Sequence, residues 1–496
     1  MFLNEGDPIS EQEAHESRLA YAMGIDPSRR VLGTFEKQAS TDPAPVWMDC
    51  EWARPGSSSS RLRISREKKP VPIIPFRVLD APSLRDDFYC TLLTYSASAN
   101  CLAVALGSNV YLWSETEGVG VPEIINTSDG HVTSLSFSSQ GILAIGRATG
   151  SVTLWSVFDE EPRLKSQHAR PISCVSFAPS TSKRSSMRDP AMMVEAEHLL
   201  VGDDLGNVSL FAVEWPARIQ RDLFNWPGAM KLLARFSTHT QQICGLVWSP
   251  GCEFFATGGN DNNCFLFETK DLLSALPAVQ SMEIRRTASG SHQHTVAPGS
   301  NLVPSLDANS AKHKWTLNAA VKAIAFCPWQ RGLLAVGGGS NDRCIHFFHT
   351  FSGACLATID CSAQVTGLIW STTRREICAT FGFAQPEHPF RIAVFSWPSC
   401  EQLVAIPWAD EHRALCAISY PGGPNDGRTK GEGGAWWSRT QVEGCIVVAT
   451  SDSSIKFHEV WSGERLKPKS RTSIFGGSEI LGELHGLDND EGMVIR

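Results

Sequence analysis

Fifteen cysteines and 14 histidines give this 496-residue chain ample side chains for metal binding or nucleophilic chemistry. Their spacing argues against either use. No two cysteines stand three apart, so there is no Cys-x-x-Cys knuckle or redox pair. Most sit in apolar runs, Cys244, Cys327 and Cys445 among them, and read as buried thiols of a reducing compartment. No Gly-x-x-x-x-Gly-Lys-Ser/Thr loop, Gly-x-Ser-x-Gly elbow or His-Glu-x-x-His helix occurs. The run Gly337-Gly-Gly-Ser-Asn-Asp-Arg343 is rich enough in glycine to cradle a phosphate, but it joins two expected strands and opens no helix. The acidic residues Glu479, Glu483, Asp488, Asp490 and Glu491 read as a solvated stretch. The chain is therefore expected to be no enzyme and to need no metal and no cofactor.

The elements around these residues explain their types. Hydrophobic residues make up 42% and charged residues 19%, a charged share too low for wholesale disorder. The net charge of −8 disfavours a nucleic-acid binder, which needs a basic face. No apolar run approaches the ~20 residues of a membrane-spanning helix, and residues 1–7 carry no signal-peptide pattern. A soluble intracellular protein is expected. Residues 1–75 hold scattered prolines, Ser57 to Ser60 and the basic run Arg61 to Lys69, so a mostly disordered arm is expected there. A short helix is expected within it over 11–22.

From Pro75 onward, short strands alternate with Gly, Asn, Asp and Ser turns. One template recurs: a small-residue strand ending in Gly, a polar turn, then a strand closed by an aromatic residue. Leu102-Ala-Val-Ala-Leu-Gly107 with Val110-Tyr-Leu-Trp113 is the first copy, and Ile142-Leu-Ala-Ile-Gly146 with Val152-Thr-Leu-Trp155 the second. The closing position falls at Trp113, Trp155, Phe211, Phe267, Phe348, Phe395 and His458. The shortest spacing, 42 residues, matches a WD40 blade. Longer spacings carry loop-like insertions at 179–197, 281–312 and 421–439. The fold expected is all-β: a seven-bladed WD40 β-propeller over 76–470, with the disordered arm before it and a short flexible C-terminal tail over 471–496. His131, His168, His239 and His412 precede first strands, while Asp204, Asp261, Asp342 and Asp452 lie in turns. Leading His and turn Asp are expected to bond each other inside each blade and to do no acid–base work.

The words between the repeats are more specific than the repeat. Pro75-Phe-Arg-Val-Leu-Asp-Ala-Pro-Ser-Leu-Arg-Asp-Asp-Phe-Tyr89, Cys244-Gly-Leu-Val-Trp-Ser-Pro250, Gly258-Gly-Asn-Asp-Asn262, Cys327-Pro-Trp-Gln330, Gly382-Phe-Ala-Gln385 and the final Ile495-Arg496 occur in order. Together with Ser28-Arg-Arg-Val-Leu32, they resemble the Fizzy family over about residues 28–496. These are WD40 coactivators and substrate receptors of the anaphase-promoting complex, a ubiquitin ligase. The resemblance implies that Asn260, Asn262, Gln385 and Arg413 form a pocket for the Lys-Glu-Asn degron. Carboxamides there would donate and accept, and the guanidinium would pair with the degron's Glu. It implies that Leu106 and Phe137 line the leucine pocket of the destruction box, Arg-x-x-Leu. It implies that Ile495 and Arg496 dock into a tetratricopeptide-repeat subunit of the ligase.

Two departures qualify the resemblance. Gly107 and Ser453 stand where family members carry acids for the degron's Arg, so destruction-box recognition should be weakened or altered. No C-box, Asp-Arg-Phe/Tyr-Ile-Pro-x-Arg, occurs in residues 1–75. Either the string lies upstream or the protein binds without fully activating. The expected function is degron recruitment to the anaphase-promoting complex in the cell cycle or meiosis, as a divergent fungal meiosis-specific member. A non-activating scaffold or inhibitor is the alternative. Expected partners are the complex and degron-bearing substrates, with no nucleic acid and no membrane, in nucleus and cytoplasm.

Overall fold

Each expected closing residue lies on the third strand of an antiparallel blade in the computed structural model. The register repeats: Leu102 pairs with Trp113, Leu143 with Trp155, Leu199 with Phe211, and Phe255 with Phe267. Leu334 pairs with Phe348, Ile377 with Phe395, and Ile446 with His458. All seven closing side chains are buried. The fold is a seven-bladed β-propeller. The structure describes residues 71–461 apart from 127–129, 187, 190, 271–284, 287–291, 294–302, 386, 409–410 and 423–443, with strand segments at 30–31, 46–48 and 51–53. The expected helix over 11–22 and most of the arm and tail lie outside the described residues.

The chain divides into two compact units. The first, residues 80–326, holds four blades whose inner strands are Leu93–Ser96, Val132–Phe137, Ile172–Phe177 and Ile243–Trp248, and ends on Val321–Phe326. Its core runs from blade to blade, with Ile142, Val175, Leu199 and Trp215 in one cluster and Leu200, Phe236, Trp248 and Phe267 in the next.

Glycine stands next to last in the second strand of three consecutive blades for a steric reason. Gly146, Gly202 and Gly258 each face the β-branched residue that opens the following inner strand. A Cβ on Gly146 would stand 2.8 Å from Ile172 Cγ2, and one on Gly202 2.8 Å from Ile243 Cγ2. On Gly258 it would stand 2.3 Å from the Val321 carbonyl oxygen. Consecutive blades therefore approach to a distance that only glycine permits.

The insertion expected as a loop over 179–197 is partly sheet. Ser182–Ser185 pairs with the start of Met193–Asp203, which lengthens the blade's second strand to 11 residues. The alternation Met193-Val-Glu-Ala196 continues a strand pattern, with Met193 exposed and Val194 buried. A helix, Arg218–Phe224, follows the third strand of the same blade and ends on Asn225 in the left-handed region.

The second unit, residues 1–79 and 327–496, holds Leu333–Gly338, Cys344–His349 and Cys355–Asp360, then the four strands from Ala363–Trp370 to Gln402–Pro407. The last blade joins Ala414–Tyr420, Cys445–Thr450 and Ser454–His458 to Arg77–Asp80 from the chain's beginning. Phe76 N–H donates to Phe457 O at 3.0 Å. Arg30–Val31 pairs in parallel with Ile359–Asp360.

The expected His–Asp pairing forms in the fourth blade alone among the described residues. His239 Nδ1 lies 2.8 Å from Asp261 Oδ1, and its Nε2 lies 2.8 Å from Thr257 Oγ1. Elsewhere a nearer group takes the turn acid. Asp452 bonds Lys456 Nζ at 2.7 Å, and Asp342 lies 2.9 Å from His346 Nε2. In the third blade Asp203, not Asp204, accepts the turn's backbone N–H groups from Leu205 and Asn207.

His458 fills a slot that is Phe in four blades. It is fully buried and stacked on Trp408, and neither ring nitrogen has a hydrogen-bond partner. Burial, helped by the Lys456 charge, pushes its pKa down from 6.5 to about 4. The unfolded chain thus binds this proton more readily, and stability falls as pH drops from 6.5 toward 4. The full gap is worth about 3 kcal/mol. His458→Phe should flatten this acid limb in urea titrations run between those pH values, with little change at pH 8. Gly258→Ala, which must displace a backbone carbonyl, should lower stability by about 1–3 kcal/mol in the same assay. Gly202→Ala, which meets side-chain methyls, should cost less.

Candidate functional site

Strand ends position the expected residues. In its own blade, each of Leu106, Asn260, Asn262, Gln385 and Arg413 stands at the end where the second strand hands over to the third. Phe137 does not.

Leu106 closes Cys101–Leu106, and the next carbonyl, Gly107 O, accepts from Val132 N at 2.9 Å. That contact sets Leu106 beside the start of Val132–Phe137. Phe137 ends the same strand, where its N–H donates to Thr94 Oγ1 at 3.1 Å. Five strand steps, roughly 17 Å, separate Val132 from Phe137, so Leu106 and Phe137 are not side by side. Gly107 and Ser453 both adopt left-handed backbone, at φ 62° and 59°. An acid at either place would have to tolerate that conformation, which Asp does better than most residues.

Asn260, Asp261 and Asn262 form the turn between Phe254–Gly259 and Asn263–Glu268. Asn262 takes the left-handed position, φ 66°, and its carbonyl accepts from Leu317 N at 2.8 Å. Burial works to raise the Asp261 pKa, but His239 and the Thr240 N–H prevail and hold it well below the carboxylate range. The turn is thereby fixed from below. Above it, Asn260 Oδ1 accepts from Tyr89 Oη at 2.9 Å, and Asn260 Nδ2 donates to Gln241 Oε1 at 2.8 Å.

Tyr89 belongs to a lead-in segment whose packing the sequence did not disclose. Asp87 Oδ1 accepts from Tyr89 N at 2.9 Å, and Arg85 pairs with Asp87 at 3.2 Å. Lys322, buried on Val321–Phe326, donates through Nζ to Cys90 O at 3.0 Å and lies 5.2 Å from the Phe88 ring centroid. A lysine inside the apolar run Val321-Lys-Ala-Ile-Ala-Phe326 was the available signal. Lys322 and Tyr89 hold this segment beside Asn260.

In the second unit, Gln385 follows Glu376–Ala384. Its N–H donates to Ser362 O at 2.8 Å, and its carbonyl accepts from the Arg343 guanidinium. Arg413 precedes Ala414–Tyr420, where its N–H donates to Ser451 Oγ at 2.9 Å. Its guanidinium lies over Phe383, 4.2 Å from the ring centroid. Phe383 is 58% exposed, so this aromatic platform presents a cation at the surface. Phe383 lies within Gly382-Phe-Ala-Gln385, where nothing in the residue types alone marks it for this role. The four residues expected for one pocket thus fall into two pairs, one in each unit. Ile495 and Arg496 lie outside the described residues.

Residues 79–424 match the CDC20/Fizzy WD40 domain. The Meiosis-specific APC/C activator protein AMA1 of Saccharomyces cerevisiae is 32% identical, over 94% of this chain and 71% of its own. The Meiotic fizzy-related protein 2 of Schizosaccharomyces pombe is 33% identical, over 83% of this chain and 69% of its own. A chain from the crystal structure of a mitotic checkpoint complex aligns with TM-score 0.55 at 26% identity, covering 79% of this chain and 97% of that one. With its blade register, its turn asparagines and this breadth of similarity, the chain belongs to the CDC20/Fizzy WD40 family, non-catalytic coactivators of the anaphase-promoting complex.

Proposed function

We propose that this chain is a substrate-recognition and activator subunit of the anaphase-promoting complex that reads Lys-Glu-Asn degrons on its propeller. The observation that carries the reading is the preparation of polar groups at the handover ends of its strands. Asn260 is held by Tyr89 and Gln241, and Arg413 is carried on the exposed ring of Phe383. A carboxamide fixed at both ends loses little further entropy when a peptide binds. A guanidinium carried over an aromatic ring is of the right kind to pair with a carboxylate. Support also comes from the relatives, one named as a meiosis-specific activator and one as a meiotic fizzy-related protein, which favour a meiotic setting.

In this reading Leu106 contributes apolar surface for a destruction box. Ile495 and Arg496 dock on a tetratricopeptide-repeat subunit of the ligase. The protein works in nucleus and cytoplasm. Ubiquitin-transfer chemistry belongs to other subunits, and this chain raises the local concentration of substrate.

A labelled Lys-Glu-Asn peptide titrated into the purified protein, with an all-alanine peptide as control, tests the receptor. Selective saturable binding is expected. Arg413→Ala should weaken it by about 1.5–3 kcal/mol, the scale of a hydrogen bond to a charged group. Tyr89→Phe, which releases Asn260, should weaken it by about 1 kcal/mol. Equal binding of both peptides by the folded protein would overturn the degron reading. A ubiquitination assay with the ligase then separates an activator from the alternative, a non-activating scaffold or inhibitor.

A further inference from the structure

Asp342, Cys344 and His346 bring a carboxylate oxygen, a thiol sulfur and an imidazole nitrogen within 4.8 Å of one another. Cys344 and His346 are alternate residues of Cys344–His349 and share one face of it, and Asp342 reaches them from the preceding turn, across Arg343 at a left-handed φ of 59°. Asp342 Oδ2 lies 2.9 Å from His346 Nε2 and accepts from Cys344 N–H at 3.3 Å. Asp342 is 7% exposed and Cys344 2%, while the His346 side chain is 19% exposed. The group is shielded, with one side reachable through the imidazole.

The imidazole is oriented from its other nitrogen. Thr358 stands directly opposite His346 on Cys355–Asp360, and its Oγ1 lies 3.2 Å from Nδ1. The Cys355 thiol lies 3.7 Å from Thr358 Oγ1 and helps to hold that hydroxyl in place. Holding Nδ1 this way leaves Nε2 to face Asp342 and Cys344. Outer hydrogen bonds of this kind set the tautomer and direction of a metal-binding histidine.

One imidazole, one thiolate and one carboxylate form a donor set for a borderline cation. Calcium and magnesium prefer oxygen alone, whereas zinc and its neighbours accept nitrogen and sulfur. We propose that Asp342, Cys344 and His346 bind a zinc-class divalent cation, with Thr358 as the residue that positions His346. The competing occupant of the space between Nε2 and Oδ2 is a proton. Binding therefore displaces the Cys344 thiol proton and the proton shared by His346 and Asp342, with no change of oxidation state. A fourth coordination position falls to solvent, reached past the part-exposed imidazole. The neighbouring Arg343 donates to the Gln385 carbonyl, so the cation would steady the turn that supports Gln385.

The test is a Co2+ titration of the full, metal-stripped chain, followed by near-ultraviolet absorbance and proton release, with Zn2+ as competitor. A saturable sulfur-to-cobalt charge-transfer band that Zn2+ abolishes is expected. Cys344→Ser should remove the band, while Cys252→Ser, at a partly exposed thiol elsewhere, should leave it. Thr358→Val should raise the Co2+ half-saturation point about 10–100-fold and keep the band. Absence of a band from folded protein would overturn the proposal. A band that persists in Cys344→Ser would do so too, as an adventitious ion only, held by another cysteine. If Cys344→Ser fails to fold, unchanged cobalt affinity in both Asp342→Asn and Thr358→Val would overturn it equally.

Discussion

Three glycines set the spacing on which the first unit depends. Gly146, Gly202 and Gly258 each accept the β-branched residue that opens the next inner strand, at distances a Cβ would not allow. Close packing of this kind leaves no slack between neighbouring sheets. The ends of these second strands are therefore placed by contact with the next blade. The Asn260–Asn262 turn inherits its position from this packing, as side chains do when rigid elements carry a site.

The blades spend their polar residues in two ways. Some polar side chains only stabilise turns: Asp203 with its own backbone neighbours, Asp452 with Lys456. Others reach out of their blade. Tyr89 reaches Asn260, and Lys322 reaches Cys90. The second kind links segments distant in sequence and holds the lead-in segment beside the Asn260 turn. The His239–Asp261 pair is of the first kind, and by closing its turn it fixes the backbone under Asn260.

The repeat was legible because each closing aromatic pairs with an apolar residue at a constant register, so chemistry and spacing agreed seven times. Asn260 and Arg413 were legible only through resemblance, since an Asn in a turn and an Arg before a strand are ordinary in themselves. Phe383 and Tyr89 stayed hidden because their roles come from contacts across the fold, 4.2 Å to Arg413 and 2.9 Å to Asn260. The His–Asp expectation failed at Asp452 and Asp342 because Lys456 and His346 take those acids, and in the third blade because Asp203 holds the turn in place of Asp204. The sheet extension at Ser182–Ser185 was masked by its own composition: serine, lysine and arginine read as loop, yet a fourth-neighbour edge strand needs no apolar face.

The bond between Lys322 and Cys90 spans 232 positions. During synthesis at ~5–20 residues per second, the lysine follows the cysteine by roughly 10–50 s. The Phe88–Cys90 stretch of the nascent chain therefore waits, exposed on this side, until four blades have been made. A chain slowed between the two residues would lengthen the exposure without altering a single native contact.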